Sequence, residues 1–251
     1  MTLCKGRGIL VVGATSEIAQ AVCRHIAQPG DRFALTARDD SHLRALKDTL
    51  EDGGADPIHL AALDMHDVEG CKRVVAWADD ACSGLDLVFL APGLLPDQSR
   101  LEAQPEELVD CFQVNALGPA VILLEASRLF EERGAGTLAA LSSVAGDRGR
   151  PKNYVYGAAK SALDTLLEGL ELRLRRSFVR VINIKPGPVR TRMTSHLPPS
   201  PLLASPERVG RSIARRLFGR SGVAYVPWYW RQIMWIVRSL PRSVLARLKG
   251  L

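Results

Sequence analysis

Residues 153–160 read NYVYGAAK. On a helix Tyr156 and Lys160, four residues apart, share a face, whereas Tyr154 has Ala158 at that offset and lies on another side from the lysine. An ammonium beside a phenol favours the phenolate and lowers a pKa that is ordinarily about 10. A tyrosine adjusted in this way gives or takes a proton near neutral pH. The pair alone also fits an ordinary amphipathic helix. A second chemical feature lies in VVGATSEIA, residues 11–19. A glycine closing a strand, followed by a small-residue turn into a helix, aims backbone N–H groups at a pyrophosphate. Of the three glycines common in such turns only Gly13 is present; Glu17 and Ala19 stand in the other places. Ser16 suits a helix N-cap, and Glu17 must turn away from a bound phosphate. At the end of LTARDD, Ala37 occupies the place of an acid that would hold a ribose diol, and Arg38 follows. Arginine there can pair with a 2′-phosphate. The plainer alternative is a solvated arginine neutralised by Asp39 and Asp40.

These residues need a scaffold. Apolar runs at 8–14, 32–37, 56–63, 85–91, 136–142, 179–185 and 222–227 read as strands, and helical periodicity fills 17–28, 41–51, 67–82, 105–132, 155–176 and 206–219. The strand runs are continuously apolar, as expected when helices cover both sheet faces. Alternation with crossovers of this length implies an α/β, doubly wound parallel sheet of seven strands in one Rossmann-type domain, 1–227. Residues 228–251 form a tail of amphipathic helices. It packs on the same domain or meets a membrane.

The chain has 251 residues, five scattered cysteines (Cys4, Cys23, Cys71, Cys82, Cys111) and no CxxC pair, a pattern of reduced, space-filling thiols in a cytoplasmic protein. The five histidines lack metal-ligand spacing, so no metal site is expected. The start lacks a signal-peptide pattern, and no uninterrupted run approaches the ~20 apolar residues of a membrane span. Net charge is +6, yet the segment from Arg208 onward holds ten Lys/Arg and no acid, leaving −4 for the rest. No nucleic-acid-reading motif accompanies that basic end.

Taken in order, GATSEIA, Arg38, LDM at 63–65, APG at 91–93, Asn115, Ser143, Tyr156 with Lys160, and PGPVRT at 186–191 resemble the short-chain dehydrogenase/reductase family over residues 8 to about 195. The resemblance implies a NAD(P)H-dependent ketoreductase, NADPH preferred and NADH possible. Tyr156 would protonate the carbonyl oxygen and Lys160 would lower its pKa and bind the nicotinamide ribose. Ser143 would hold the substrate carbonyl, and Asn115 would hold a relay water. Gly13, Thr15, Ser16, Glu17 and Ile18 would surround the pyrophosphate. Asp64 and Met65 would border the adenine, and Ala91 and Gly93 would also contact the cofactor. Gly187, Val189 and Thr191 would line the nicotinamide, and Pro186 would also contact the cofactor. Two departures stand out: the reduced glycine triplet, and Pro92 in place of a residue with an N–H donor.

A narrower resemblance, in SSVAGDRGRPKNYVYGAAK, KPGPVRTRMTSHL and the tail from Tyr225, is to the reductases that complete decaprenylphosphoryl-ribose epimerisation. It implies a 2-keto sugar on a polyprenyl phosphate as substrate, with a flavin oxidase partner that generates the ketone. Another amphipathic ketone (acyl, steroid or polyketide) is the alternative, and a non-catalytic nucleotide-binding scaffold a more distant one. Arg190, Arg192 and His196 in the loop at 188–205 favour an anionic group. Family members pair the helices of 105–132 and 155–176 into homodimers or homotetramers. From Trp228 to Leu240, Arg231, Gln232, Arg238 and Ser239 gather in one helical arc with Trp235 among them, while Ile233, Met234, Ile236, Val237 and Leu240 fall largely outside it. With Arg242, Arg247 and Lys249 beyond, this is a pattern for peripheral binding to anionic lipid at the inner face of the membrane.

Overall fold

The computed structural model describes residues 6–39, 41–195, 198 and 200–245. Cys4, Asp40, His196, Arg247 and Lys249, each invoked above, lie outside the described residues. Seven strands, β1 (Gly8–Val12), β2 (Arg32–Ala37), β3 (Ile58–Ala62), β4 (Leu87–Leu90), β5 (Gly136–Leu141), β6 (Val179–Pro186) and β7 (Gly222–Val226), form one sheet in the order β3-β2-β1-β4-β5-β6-β7. Every pairing is parallel. Strand side chains alternate between faces, so Ile9 and Val11 enter one core layer and Leu10 and Val12 the other. The first layer lies under α1 (Glu17–Ile26), α2 (Ser41–Asp52) and α8 (Pro206–Leu217); the second lies under α3 (Val68–Ala81), α6 (Gly118–Arg133) and α7 (Tyr154–Leu174). Strand order reverses between β1 and β4, and such a switch point opens a crevice at the carboxyl ends of the strands.

Two regions depart from the sequence reading. A short helix, α4 (Gln98–Ala103), stands where none was expected; Asp97 caps it by accepting from the Arg100 N–H at 3.0 Å. The expected helix over 105–132 is broken into a 3-10 turn (Pro105–Glu107), α5 (Leu108–Phe112), a π turn (Gln113–Leu117) and α6. By length and composition this run would suit a membrane span (mean hydropathy 1.4), which counting uninterrupted apolar residues had not shown. Here Ile122, Leu123, Ala126 and Phe130 are buried in the domain core.

The tail begins with α9 (Trp230–Ser239), and after Pro241 the chain restarts as α10 (Arg242–Leu245). Trp230, Met234 and Val237 pack with Val144. Ile236, placed on the apolar side by the sequence pattern, is instead 53% exposed, because the seam of the packed face runs through positions 230, 234 and 237.

Beneath the carboxyl end of β6 lies a buried ionic cluster. The Lys185 ammonium meets Asp147, on the 3-10 turn Val144–Asp147, and Asp164 on α7 at 2.8 Å. The Tyr225 hydroxyl donates to Asp147 at 2.8 Å and the Asn183 amide donates to Asp164 at 2.8 Å. Removing one member of a buried ion cluster strands the others in low dielectric, which costs about 3–5 kcal/mol. Lys185→Met should therefore lose stability of that order in urea unfolding; a midpoint equal to that of the wild type would show that the cluster holds nothing in place.

Candidate active site

The crevice has two adjoining compartments that share Ser16, Ile18, Ala91, Pro92, Gly93, Thr191 and Met193. One is lined by Gly13, Thr15, Glu17, Arg38, Asp64 and Met65, the other by Ser143, Tyr156, Lys160, Pro186, Gly187 and Val189. Every residue expected for catalysis or cofactor binding lines one or both of them except Asn115.

Ser143 and Tyr156 meet because the backbone comes unusually close. A Cβ on Gly157 would lie 2.8 Å from the Ala145 carbonyl oxygen, and one on Gly146 would lie 2.5 Å from an Asp164 carboxylate oxygen. Without side chains there, the turn after Ser143 rests directly on the first turns of α7. Burial pushes the Tyr156 phenol up to about 12; the adjacent Ser143 hydroxyl and the nearby Arg150 charge pull the other way. Lys160 is 2% exposed, donates to the Leu141 carbonyl at 2.9 Å and lies 5.9 Å from the centre of the Tyr156 ring. Burial pushes Lys160 down to about 8, against the pull of Asp164. The groups that lower the Tyr156 pKa in this structure are Ser143 and Arg150, and burial outweighs both. Tyr154 is exposed and donates to Glu102 at 2.9 Å, off the crevice.

Asn115 is fully buried in the π turn. Its amide nitrogen donates to the Leu94 carbonyl at 2.7 Å and the Cys111 carbonyl at 2.9 Å, and its oxygen accepts from the Leu94 N–H at 3.2 Å. Both side-chain N–H groups are thereby committed to protein carbonyls. The side chain clamps the loop after β4 and shapes the crevice from behind.

The other compartment fits a dinucleotide. Gly13 has φ +74°, a left-handed conformation that favours glycine, and a Cβ there would lie 2.8 Å from the Pro92 nitrogen. Ser16, at the N-cap of α1, caps no first-turn amide with its side chain, so those groups are left for an anion. Glu17 turns aside, accepting from the Arg192 N–H at 2.7 Å. These residues would hold the pyrophosphate, with exposed Arg38 at the ribose end. Asp64 and Met65 line the same compartment; His66 donates to Asp64 at 2.9 Å through its backbone N–H, and that bond, first, holds the Asp64 carboxyl below its ordinary value. The described thiols Cys23, Cys71, Cys82 and Cys111 are all buried, and burial raises each of them.

Loop arginines fall differently from expectation. Arg192 lies at the cofactor end, where its guanidinium donates to the Thr15 carbonyl at 3.3 Å, and Arg190 is exposed and lines neither compartment. The arginine inside the compartment of Tyr156, beside Lys160, is Arg150, joined there by Asn153 and Met193. Sequence reasoning missed all three. The signal was present for Arg150: the segment between Ser143 and Tyr156 must cover the site.

The family model described as short chain dehydrogenase matches residues 7–201. The chain belongs to the short-chain dehydrogenase family. An uncharacterized oxidoreductase of Mycobacterium tuberculosis is 32% identical over 240 residues, spanning 96% of each chain. A short-chain type dehydrogenase/reductase from Mycobacterium ulcerans shares the fold with a TM-score of 0.74, 23% identity, and coverage of 96% of this chain and 98% of that one. ElxO, in a structure with NADP bound, shares it with a TM-score of 0.79 at 16% identity, over 90% of this chain and 99% of the other. As a short-chain dehydrogenase the protein is a NAD(P)-dependent oxidoreductase.

A buried base with a lowered pKa carries a stability signature. Between about 8, its folded value, and its ordinary 10.5, Lys160 binds fewer protons folded than unfolded. Stability from this group therefore rises with pH across that window and is lowest below it. Lys160→Met should be more stable than the wild type at pH 7 without cofactor. That advantage should shrink by on the order of 2 kcal/mol by pH 10. A pH-independent difference in paired denaturation curves would contradict the burial argument.

Proposed function

We propose that this short-chain dehydrogenase is an NADPH-preferring ketoreductase whose substrate is a ketone on an amphipathic, anionic carrier, foremost a 2-keto sugar on a polyprenyl phosphate. The observation that carries the reductase reading is the Tyr156 hydroxyl beside Ser143 in a pocket that adjoins the dinucleotide compartment. The cofactor, when bound, supplies hydride. Ser143 holds the carbonyl oxygen and Tyr156 gives it a proton as negative charge develops there. A phenol held near 12 is firmly protonated at neutral pH, which suits the acid role in the direction of reduction. Lys160, fixed by the Leu141 carbonyl, offers its remaining N–H groups to the sugar of the cofactor. The narrower sequence resemblance supports the lipid-linked sugar. Such a ketone arises by oxidation of the corresponding secondary alcohol, the step assigned to a flavin oxidase partner. Exposed Leu108, Val109, Leu117 and Leu124, with Leu172 on α7, support pairing into a homodimer or homotetramer; a monomer by light scattering at micromolar concentration would remove that part.

The outer face of α9 supports a peripheral approach to membrane, on the cytoplasmic side. Trp228 and Trp235 are each 72% exposed, beside Ile236, Arg231 and Arg238. Basic residues with exposed indoles suit an anionic interface. The opposite face of the same helix packs on Val144, next to Ser143, so a lipid chain lying along α9 would lead toward the pocket.

Three outcomes are expected. Tyr156→Phe should lower kcat by about 10²–10⁴-fold, the range of general acid catalysis, with cofactor affinity nearly intact. Tyr154→Phe should keep its rate, and the reverse pattern would overturn the assignment. Arg38→Asp should weaken NADPH by about 1.5–3 kcal/mol and shift the kcat/KM ratio toward NADH; an unchanged ratio makes Arg38 a surface charge. Lastly, the full chain should sediment with anionic liposomes at low salt and be released at high salt, and Trp235→Ser with Ile236→Ser should weaken this. Wild-type protein left in the supernatant at low salt would sink the membrane reading.

A further inference from the structure

The segment between Ser143 and Tyr156 carries three cations, Arg148, Arg150 and Lys152, against one acid, Asp147. Arg148 is committed to the tail, donating to the carbonyls of Arg238 and Leu240 at 3.0 Å each. Lys152 is exposed. Arg150 turns inward and lines the same compartment as Ser143 and Tyr156. Its Nε is buried and has no hydrogen-bond partner, and among the described residues no carboxylate forms an ion pair with it. Asp147, its nearest acid in sequence, already has both oxygens engaged, one by Lys185 and one by the Tyr225 hydroxyl.

Arg150 is half-buried, and a guanidinium held partly out of water, with one N–H buried and unpaired and no carboxylate beside it, is costly to hold. Burial is also the largest influence on Arg150, pushing its pKa down, with Asp147 and Tyr156 opposing. An arrangement of this kind is consistent with a partner that arrives with the ligand. The planar fork of arginine matches the oxygens of a phosphate or carboxylate. We propose that Arg150 is the anion-recognising residue of the substrate pocket, taking the oxygens of a phosphate borne on the carbon next to the ketone. In a 2-keto sugar linked through C1 to phosphate, one carbon separates the carbonyl from the ester oxygen. With Tyr156 on the carbonyl oxygen, the group that reads the phosphate must stand beside Tyr156, as Arg150 does. This inference rests on the ketoreductase reading but assigns a different property, selectivity for a charged neighbour of the carbonyl.

The test is a binding measurement, so it is read independently of turnover. NADP-loaded protein is titrated calorimetrically with dihydroxyacetone phosphate and with dihydroxyacetone, which share the carbonyl and differ in the phosphate one carbon away. The wild type should bind the phosphate ester at least tenfold more tightly. Arg150→Gln should erase that preference, Arg150→Lys should keep part of it, and Arg190→Gln should keep all of it. Equal binding of the two ketones by the wild type, or a preference that survives in Arg150→Gln, overturns the proposal. So does a preference lost in Arg190→Gln. A second reading separates ligand recognition from a structural role. Arg150→Met, without ligand, should melt at or above the wild-type temperature because a half-buried charge with no carboxylate partner has been removed. A drop of several degrees would make Arg150 structural and overturn the proposal as well. If the phosphate preference holds while no ketone is reduced, the function proposed above fails and this assignment stands.

Discussion

One ammonium group, that of Lys185, ties together the three elements on which the crevice depends. It reaches from β6 to Asp147 in the turn after Ser143 and to Asp164 on α7. Each carboxylate has little exposure, 2% for Asp147 and 13% for Asp164. Charges this deep persist only when paired and hydrogen-bonded, so the cluster imposes a single relation between strand, turn and helix. Gly146 and Gly157 then let the turn settle onto the backbone of α7. The meeting of Ser143 and Tyr156 is the consequence of that contact.

Seen from this cluster, the charge in the crevice is unbalanced. Asp147 and Asp164 face Lys185, Lys160 and Arg150, and two of those cations lack a carboxylate partner in the hydrogen-bond network. Lys160 makes do with a carbonyl, and Arg150 has a buried Nε with nothing to donate to. A domain optimised for stability alone would replace both with apolar groups. Function accounts for keeping them, since sites that bind charged ligands commonly give up stability for it.

The tail shows how one helix serves two neighbours. Trp230 lies across Gly187, where any Cβ would fall 2.0 Å from the indole nitrogen, and Met234 and Val237 continue the packed seam toward Val144. Arg148 locks the end of α9 to the segment that carries Arg150. The tail therefore backs Gly187 and Val144, which line the compartment of Tyr156, and its outer face, with Trp228, Trp235 and Ile236, is exposed.

Much of this was legible in the amino-acid order. Continuous apolar runs alternating with helical periodicity determined seven strands and a doubly wound sheet, because handed crossovers leave few other ways to bury both faces. The spacing of Tyr156 and Lys160 placed them on one helical face, and turn chemistry placed Gly13 at a phosphate-facing corner. These are local rules, read over a few residues. What only the tertiary structure decided were partners distant in sequence. The break of the long helix at 113–117, the commitment of Asn115 to Leu94, and the exposure of Ile236 all depend on what packs against each side chain. The same holds for the choice of Arg150 over Arg190 and Arg192 as the arginine in the pocket, and for the lift of the Tyr156 phenol by burial. A periodic pattern specifies which face of an element is apolar, but it does not specify which residue of another element arrives there or how much water that contact removes.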